Sequence, residues 1–314
     1  MRGVQVTIRR QARIWLIPAI LLCFASSFNS QEKKTTPPVF RVAVDTVYVK
    51  VTVADPLGRY VTGLEKEHFK IYEDNIEQTV LHFSQPSAPI SLAILFDISG
   101  SMGFSGNIRI GKSWFAGLLK SSFLDVRTPE DEYSLITFNE TVNLVKAFAD
   151  DTDDMQHEVV SQKAGGWTAL YDAVYRGLDH LKEARNEKKA LIVISDGEEN
   201  SSRYGYADVR ELATESDVQI YGLGLAGPEG GGYSIINSLI RLTGGRAFYG
   251  NYEDLGYYFD LIHAELRTQY LLGYVPTNTI RDGKWRRIRV KIEKIEGLPK
   301  LTIRAKNGYY GPKN

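Results

Sequence analysis

The chain has 314 residues, 43% hydrophobic and 24% charged, with 38 basic residues against 38 acidic ones. That is room for one large domain or two small ones, and the composition is that of a folded globular protein, not a disordered or fibrous one. Arg2, Arg9, Arg10 and Arg13 all lie in the first segment, so the remainder is mildly acidic, which removes the electrostatic reason to expect nucleic acid or an anionic membrane as partner. Cys23, the single cysteine, also lies there, so disulfides, thiol catalysis and Cys-based metal sites are excluded from the rest of the chain.

Residues 1–27 run basic, then apolar from Ile14 to Phe24, then small and polar, which is the order of a secretory signal peptide, with Ala25 and Ser27 at the small-residue positions before the cut. The apolar run is shorter than the roughly 20 residues a spanning helix needs, and Pro18 interrupts it. The expectation is export to the periplasm, the cell surface or the medium, with no membrane span after cleavage. A lipoprotein anchor at Cys23 is the weaker alternative, because Leu22 stands where a small residue would be needed. Residues 28–39, polar and containing Pro37-Pro38, read as a linker.

An N-terminal β module is expected over 40–84. Alternation from Phe40 to Val53 predicts a long strand, Asp55-Pro56-Leu57-Gly58 a turn, and Phe69–Tyr72 and Gln78–Phe83 two more strands around the turn at Glu73-Asp74-Asn75. From Ile90 to about Tyr270 the texture alternates. Strands are predicted at Leu92–Phe96, Tyr133–Phe138, Thr141–Phe148, Ala190–Ser195, Val218–Leu225 and Arg246–Tyr249. Helices are predicted over 108–123, 153–162, 169–184, 207–215, 234–243 and 252–270. This pattern implies a doubly wound, mainly parallel α/β sheet with helices on both faces. Residues 271–314 return to β texture, with strands at Leu271–Val275, Trp285–Glu293 and Leu301–Ala305 and a hairpin signal at Asp282-Gly283. Neither β segment can hold a core alone, so the two are expected to pair into one β-sandwich with the α/β domain inserted between them.

Asp97-Ile-Ser99-Gly-Ser101 follows the apolar run Leu92–Phe96 directly, and Asp196-Gly197 follows Ala190–Ser195. Thr168, in Gly-Gly-Trp-Thr, opens the loop before a helix. In a parallel sheet all three places fall on the carboxyl edge, where such folds build their sites. Two carboxylates and three hydroxyls are hard oxygen ligands, suited to Mg²⁺, with Mn²⁺ and Ca²⁺ as alternatives, and poor for Zn²⁺. The bland alternatives are that Ser99 and Ser101 cap a helix and that Asp196-Gly197 is a plain turn.

These five residues, in this order and context, resemble the metal-ion-dependent adhesion site (MIDAS) of the von Willebrand factor A (vWA) family: Asp-x-Ser-x-Ser, a distant Thr and a distant Asp. The resemblance covers about Ile90–Tyr270. The flanks, with Phe69-Lys-Ile-Tyr-Glu-Asp74, Tyr270-Leu-Leu-Gly-Tyr274 and Gly308-Tyr-Tyr310, resemble exported bacterial "VWFA-related" proteins. The resemblance implies a vWA fold, a divalent cation on Asp97, Ser99, Ser101, Thr168 and Asp196, and a protein partner that offers an Asp or Glu carboxylate to it. It implies a non-enzymatic adhesion or docking role.

Trp167, Glu198 and Glu199 are candidates for the partner-binding rim. A metal-assisted hydrolase is the rival reading and needs a base from Glu198, Glu199 or Asp172. A structural envelope protein, its metal only bracing loops, is a third. Asp131 and Glu132 are expected to be solvated. His68, His82, His157, His180 and His263 lack ligand spacing, no Ser-His-Asp arrangement can be argued, and Gly227–Gly232 lacks the Lys and spacing of a phosphate loop.

Overall fold

The computed structural model describes residues 46–86, 88–104, 128–150, 155, 158, 164–224, 233–250 and 254–313. The signal segment and linker (1–39), residues 40–45 of the first strand, the helix expected over 108–123, nearly all of that over 153–162, and the glycine loop 227–232 lie outside the described residues.

Strands β1 (Val47–Ala54), β2 (Phe69–Glu73), β3 (Ile76–Gln78) and β4 (Val80–Ser84) come first. An α/β stretch follows: β5 (Ile90–Asp97), α1 (Ser101–Phe104), β6 (Glu132–Phe138), β7 (Val142–Ala149), α2 (Leu170–His180), β8 (Lys188–Ser195), α3 (Tyr206–Glu215), β9 (Val218–Gly224), α4 (Tyr233–Thr243), β10 (Ala247–Tyr249) and α5 (Leu255–Thr268). The chain closes with β11 (Tyr270–Tyr274), β12 (Trp285–Ile292), β13 (Thr302–Arg304) and β14 (Gly308–Tyr310).

The α/β strands form one sheet in the order β10-β9-β8-β5-β6-β7, parallel except for the β6–β7 pair. Strands β5, β6 and β9 are buried at every residue, as continuous apolar runs covered on both faces should be. Ile94 and Phe96 pack with Phe259 and Ile262 of α5 on one face. Leu95 and Leu191 pack with Leu170 and Val174 of α2, Val209 of α3 and Ile240 of α4 on the other. Each such side chain contributes roughly 1.5–3 kcal/mol relative to exposure. From β5 the chain goes to β6 on one side and later to β8 on the other. The sheet therefore switches direction between β5 and β8, and the loops after these two strands border the crevice.

The flanking strands build two four-stranded sheets, β13-β1-β11-β4 and β14-β12-β2-β3, each containing strands from both ends of the chain. Their inner faces share one core, with Val49, Val51, Ile71, Leu272 and Ile288 buried in it. Asp282-Gly283 is not the hairpin its sequence signals. β11 pairs with β1 and β4, whereas β12 pairs with β2 and β14, so this turn lies on a crossover between sheets and bridges to Lys313 instead. The helix expected to reach Tyr270 stops at Thr268, because Gln269 is extended (φ −76°, ψ 136°) and Tyr270 opens β11. The helix expected to Ala184 is α-helical only to His180; tight turns such as Lys182 N–H to Asp179 O (3.1 Å) carry the chain on.

The β module sits against the amino edge of the six-stranded sheet, where β5 is entered and α5 is left. Lys50 and Thr52, on the outward face of β1, are buried there; Lys50 Nζ donates to Asp217 O, and Gln269 Nε2 donates to Thr52 Oγ1 at 3.4 Å. Glu265 of α5, fully buried, pairs with Arg304 of β13 at 2.5 Å and accepts from Tyr221 Oη at 3.1 Å. Asp131 and Glu132 are buried, contrary to their expected solvation. Asp131 accepts the N–H groups of Ile90 (2.8 Å) and Thr128 (2.7 Å) and pairs with Arg267, while Glu132 accepts the Ser91 hydroxyl and the Arg185 N–H, both at 2.6 Å. These partners satisfy the desolvated carboxylates. The module is thus anchored at the edge opposite the candidate site.

Candidate metal centre

Asp97 ends β5 on the switch-point edge and is fully buried. Its Oδ1 accepts the Ser99 N–H at 2.8 Å, and its Oδ2 accepts the Ser195 hydroxyl at 2.6 Å. Ser99 is also fully buried, and its Oγ lies 3.1 Å from Ser101 Oγ at the start of α1. Burial pushes the Asp97 carboxyl up to about 6; hydrogen bonds from Ser195 and Ser99 oppose this, and the charge of Asp196 adds to it.

A second loop is stapled to the first. Gly165 N–H donates to Ile98 O and Gly100 N–H donates to Gly166 O, both at 2.9 Å. Gly166 has φ +84°, a left-handed conformation that favours glycine. Asn139, just past β6, holds the same loop from below. Its Nδ2 donates to Gly165 O at 3.0 Å, and its carbonyl accepts the Ala169 N–H at 2.7 Å. Thr168, buried, follows in this loop, so the Thr168 segment and the Asp-x-Ser-x-Ser segment are joined by direct backbone bonds.

The third loop leaves β8. Asp196 is half-buried, and Gly197 takes φ +86° with its N–H donated to Ser195 Oγ at 2.9 Å. Asn200 Oδ1 accepts the Thr168 N–H at 2.8 Å, and Thr168 O accepts the N–H groups of Asn200 and Ser201. The structure thus places the three candidate segments side by side, each bonded to another.

Not every candidate faces the same way. Glu199 turns inward: its carboxylate accepts the Tyr171 N–H (2.9 Å), the Ser202 hydroxyl (2.8 Å) and the N–H groups of Ser201 and Ser202. The N-cap of α2 is Ala169, which has no polar side chain, so Glu199 and Ser202 supply partners for the first turn's free N–H groups. Asp172 binds the N–H groups of Arg203 and Tyr204 and the Arg203 side chain. Glu198 is exposed, and Trp167 is 67% exposed.

Asn139, Ser195 and Asn200 position these loops; the sequence places Asn200 on the site's rim beside Glu198 and Glu199, but it does not single out Asn139 or Ser195. The available signals were an Asn just after an apolar strand and a hydroxyl as the last residue of another. Elsewhere, Ser134 Oγ lies 3.0 Å from His180 Nε2, and His180 Nδ1 lies 3.3 Å from Glu183, which is triad-like spacing. Ser134 is fully buried and donates its proton to Lys146 O at 2.7 Å, so this is a packing node that ties α2 to β6 and β7.

A divalent ion fits the donor set. A buried carboxylate raised by desolvation and by a second carboxylate, with two adjacent hydroxyls, is stabilised by a cation. Among the described residues no group of three or more His, Cys, Asp or Glu is placed to hold a metal, so a site here depends on the hydroxyls. Two cavities, about 680 and 510 Å³, run along the seam between α3 and the β module near Asp217, and none of the five candidate ligands lines them.

Residues 92–199 match the family model of the von Willebrand factor type A domain. An uncharacterized protein of Borreliella burgdorferi is 26% identical over 175 residues, 54% of this chain and 49% of its own length. The chain therefore spans about half the length of that relative. Similar solved structures include the conserved hypothetical protein BatB from Bacteroides thetaiotaomicron (16% identity, 56% of this chain, 98% of that one, TM-score 0.45). The vWF domain of the type V pili tip protein Mfa5 from Porphyromonas gingivalis is another (12% identity, 56% and 94%, TM-score 0.45). A third is the PilB minor pilin from Streptococcus sanguinis (14% identity, 59% and 63%, TM-score 0.48). The α/β domain has a vWA-like fold, a six-stranded mixed sheet with additional flanking strands.

Proposed function

We propose that this chain is an exported, non-enzymatic docking protein whose vWA-like domain binds a protein partner through a divalent cation, Mg²⁺ first. Asp97, Ser99, Ser101, Thr168 and Asp196 would hold the ion. Asp97 and Asp196 bring the charge; the hydroxyls of Ser99, Ser101 and Thr168 bring neutral oxygen. When bound, the cation supplies an electrophilic position for an acidic side chain of the partner. The single observation that carries this reading is the pairing of the buried Asp97 carboxylate with Ser99 N–H and the Ser195 hydroxyl, beside two hydroxyls 3.1 Å apart. It leaves a desolvated anion among oxygen donors, and the residues that follow it, Ile98 and Gly100, are bonded to the Thr168 loop on the same sheet edge.

Export rests on the sequence of residues 1–27. Among the described residues no helix is long and apolar enough to cross a membrane. The hydrolase reading is weakened because, of the three bases named for it, Glu199 and Asp172 spend their oxygens on loop and helix N–H groups and Glu198 is exposed. The test is binding of envelope proteins by the purified chain in Mg²⁺ and in EDTA. Binding should require Mg²⁺ and be lost in Asp97→Ala and Thr168→Ala; metal-independent binding unchanged by both variants would overturn the proposal.

A further inference from the structure

We propose that Lys50 is a carbamylation site: its amine adds CO₂ in a small cavity at the seam of the two modules, and the carbamate formed there is held by Lys306. The site lies at the amino edge of the six-stranded sheet, so it is independent of the metal centre at the opposite edge.

Lys50 of β1 is 6% exposed, and its Nζ donates to the carbonyl of Asp217, between α3 and β9. Lys306, between β13 and β14, donates from its own Nζ to Asp217 Oδ1 at 3.1 Å. One aspartate thus holds both amines. The two lysines and Asp217 line a cavity of about 20 Å³. Gln219 is in the same wall, and its buried Oε1 has no hydrogen-bond partner among the described residues. Roughly 10–15 Å³ suffices for one water. The cavity therefore takes a group the size of CO₂ and nothing much bulkier. Asp217 also lines the cavities of about 680 and 510 Å³, so the small cavity adjoins both.

Burial pushes the Lys50 ammonium down to about 7; the charge of Asp217 opposes this, and those of Lys306, Lys189 and Lys188 add to it. A desolvated amine beside other cations is in its neutral, nucleophilic form. The nitrogen lone pair forms the N–C bond, one C=O pair of CO₂ moves onto oxygen, and one amine proton passes to water: R–NH₂ + CO₂ → R–NH–COO⁻ + H⁺. The remaining N–H has an acceptor in Asp217 O or Gln219 Oε1. The two new oxygens need donors. The Thr214 and Ser216 hydroxyls in the wall are already donated, to Arg210 O and Ala213 O. Lys306, whose ammonium has protons beyond the one on Asp217, is the donor at hand. The new anion also offsets the repulsion among Lys306, Lys189 and Lys188, which strengthens the seam.

Lys188 is a comparison built into the same chain. It is 1% exposed, its Nζ donates to Gln269 O at 2.7 Å, and burial pushes it down to about 8, with Arg267 adding to the shift. It lines none of these three cavities. The two lysines therefore separate the cavity from the lowered basicity as the deciding feature.

The purified chain is equilibrated with isotope-labelled bicarbonate at about pH 8, where ordinary lysine side chains stay protonated. Triethyloxonium then traps carbamates as ethyl esters, and digestion with mass spectrometry locates the label. Label is expected on Lys50, several-fold above Lys188 and every other lysine, and several-fold weaker in Lys306→Ala. Bicarbonate should raise the thermal unfolding midpoint of the wild type over chloride of equal ionic strength, and leave that of Lys50→Met unchanged. No label on Lys50, label there no stronger than on Lys188, a yield unaltered in Lys306→Ala, or a wild-type midpoint that does not respond would overturn the proposal. The trapping result on the wild type stands even if Lys50→Met does not fold.

Discussion

Ser195 donates its hydroxyl to Asp97 Oδ2 at 2.6 Å across the two central strands, joining the carboxylate that ends β5 to the residue just before Asp196. The same Ser195 oxygen accepts the Gly197 N–H, so one side chain orients both acidic loops. Outer partners of this kind commonly change metal affinity by about 10- to 100-fold. Ser195→Ala should keep the fold and weaken Mg²⁺ binding about tenfold, read by calorimetric titration. Unchanged affinity would remove Ser195 from the site's design.

Asn139 and Asn200 hold the Thr168 loop from its two sides. Asn200→Ala leaves the Thr168 N–H without its acceptor, and Asn139→Ala removes the donor to Gly165 O. Each should cost about 1–3 kcal/mol in urea unfolding. Gly166→Ala should also destabilise the fold, since φ +84° disfavours Ala and the added β-carbon meets Glu140.

His180 and His263 are both pushed below the ordinary histidine value near 6.5, chiefly by burial. Glu183 and Asp179 raise His180 while Arg176 lowers it; Arg267 lowers His263 while Asp131 and Asp260 raise it. Between each lowered value and 6.5 the unfolded chain binds the proton and the folded chain does not. Stability contributed by the two neutral rings is therefore present above 6.5 and lost as pH falls below it. Asp97, raised to about 6, acts in the opposite direction over the same range, so the check is a difference: from pH 7.5 down to 5 the urea unfolding midpoint of the wild type should fall relative to that of His180→Gln. An equal slope in that variant would count against the assignment to His180.

Glu265 is fully buried between Arg304, Arg246 and Tyr221 at the seam of the two modules. Glu265→Ala strands the partner charges and should cost about 3–5 kcal/mol. Arg304→Ala, at a residue one-third exposed, should cost less because Arg246 stays. Thermal unfolding of the two variants checks the order.

What the sequence made legible was what periodicity and local order carry. The apolar runs before Asp97 and Asp196 became neighbouring strands β5 and β8, and core positions of α2 such as Leu170, Val174 and Leu178 are buried. What it hid were pairings between distant residues. Asn139 to Gly165, Asn200 to Thr168 and Ser195 to Asp97 span 26, 32 and 98 positions, with no period to announce them. Asp131 looked solvated because its partner Arg267 is 136 residues away. Asp282-Gly283 carried a hairpin signal because turn chemistry is local, whereas the choice of sheet for β11 and β12 is set by their partners elsewhere in the chain.

The central claim is a divalent cation on Asp97, Ser99, Ser101, Thr168 and Asp196. The direct measurement is calorimetric titration of Mg²⁺, repeated with Mn²⁺, into the purified chain and into Asp97→Ala and Thr168→Ala. Saturable one-to-one binding by the wild type, abolished in Asp97→Ala and weakened in Thr168→Ala, is the predicted result. Absence of binding by the wild type, or binding unaltered in both variants, would contradict it.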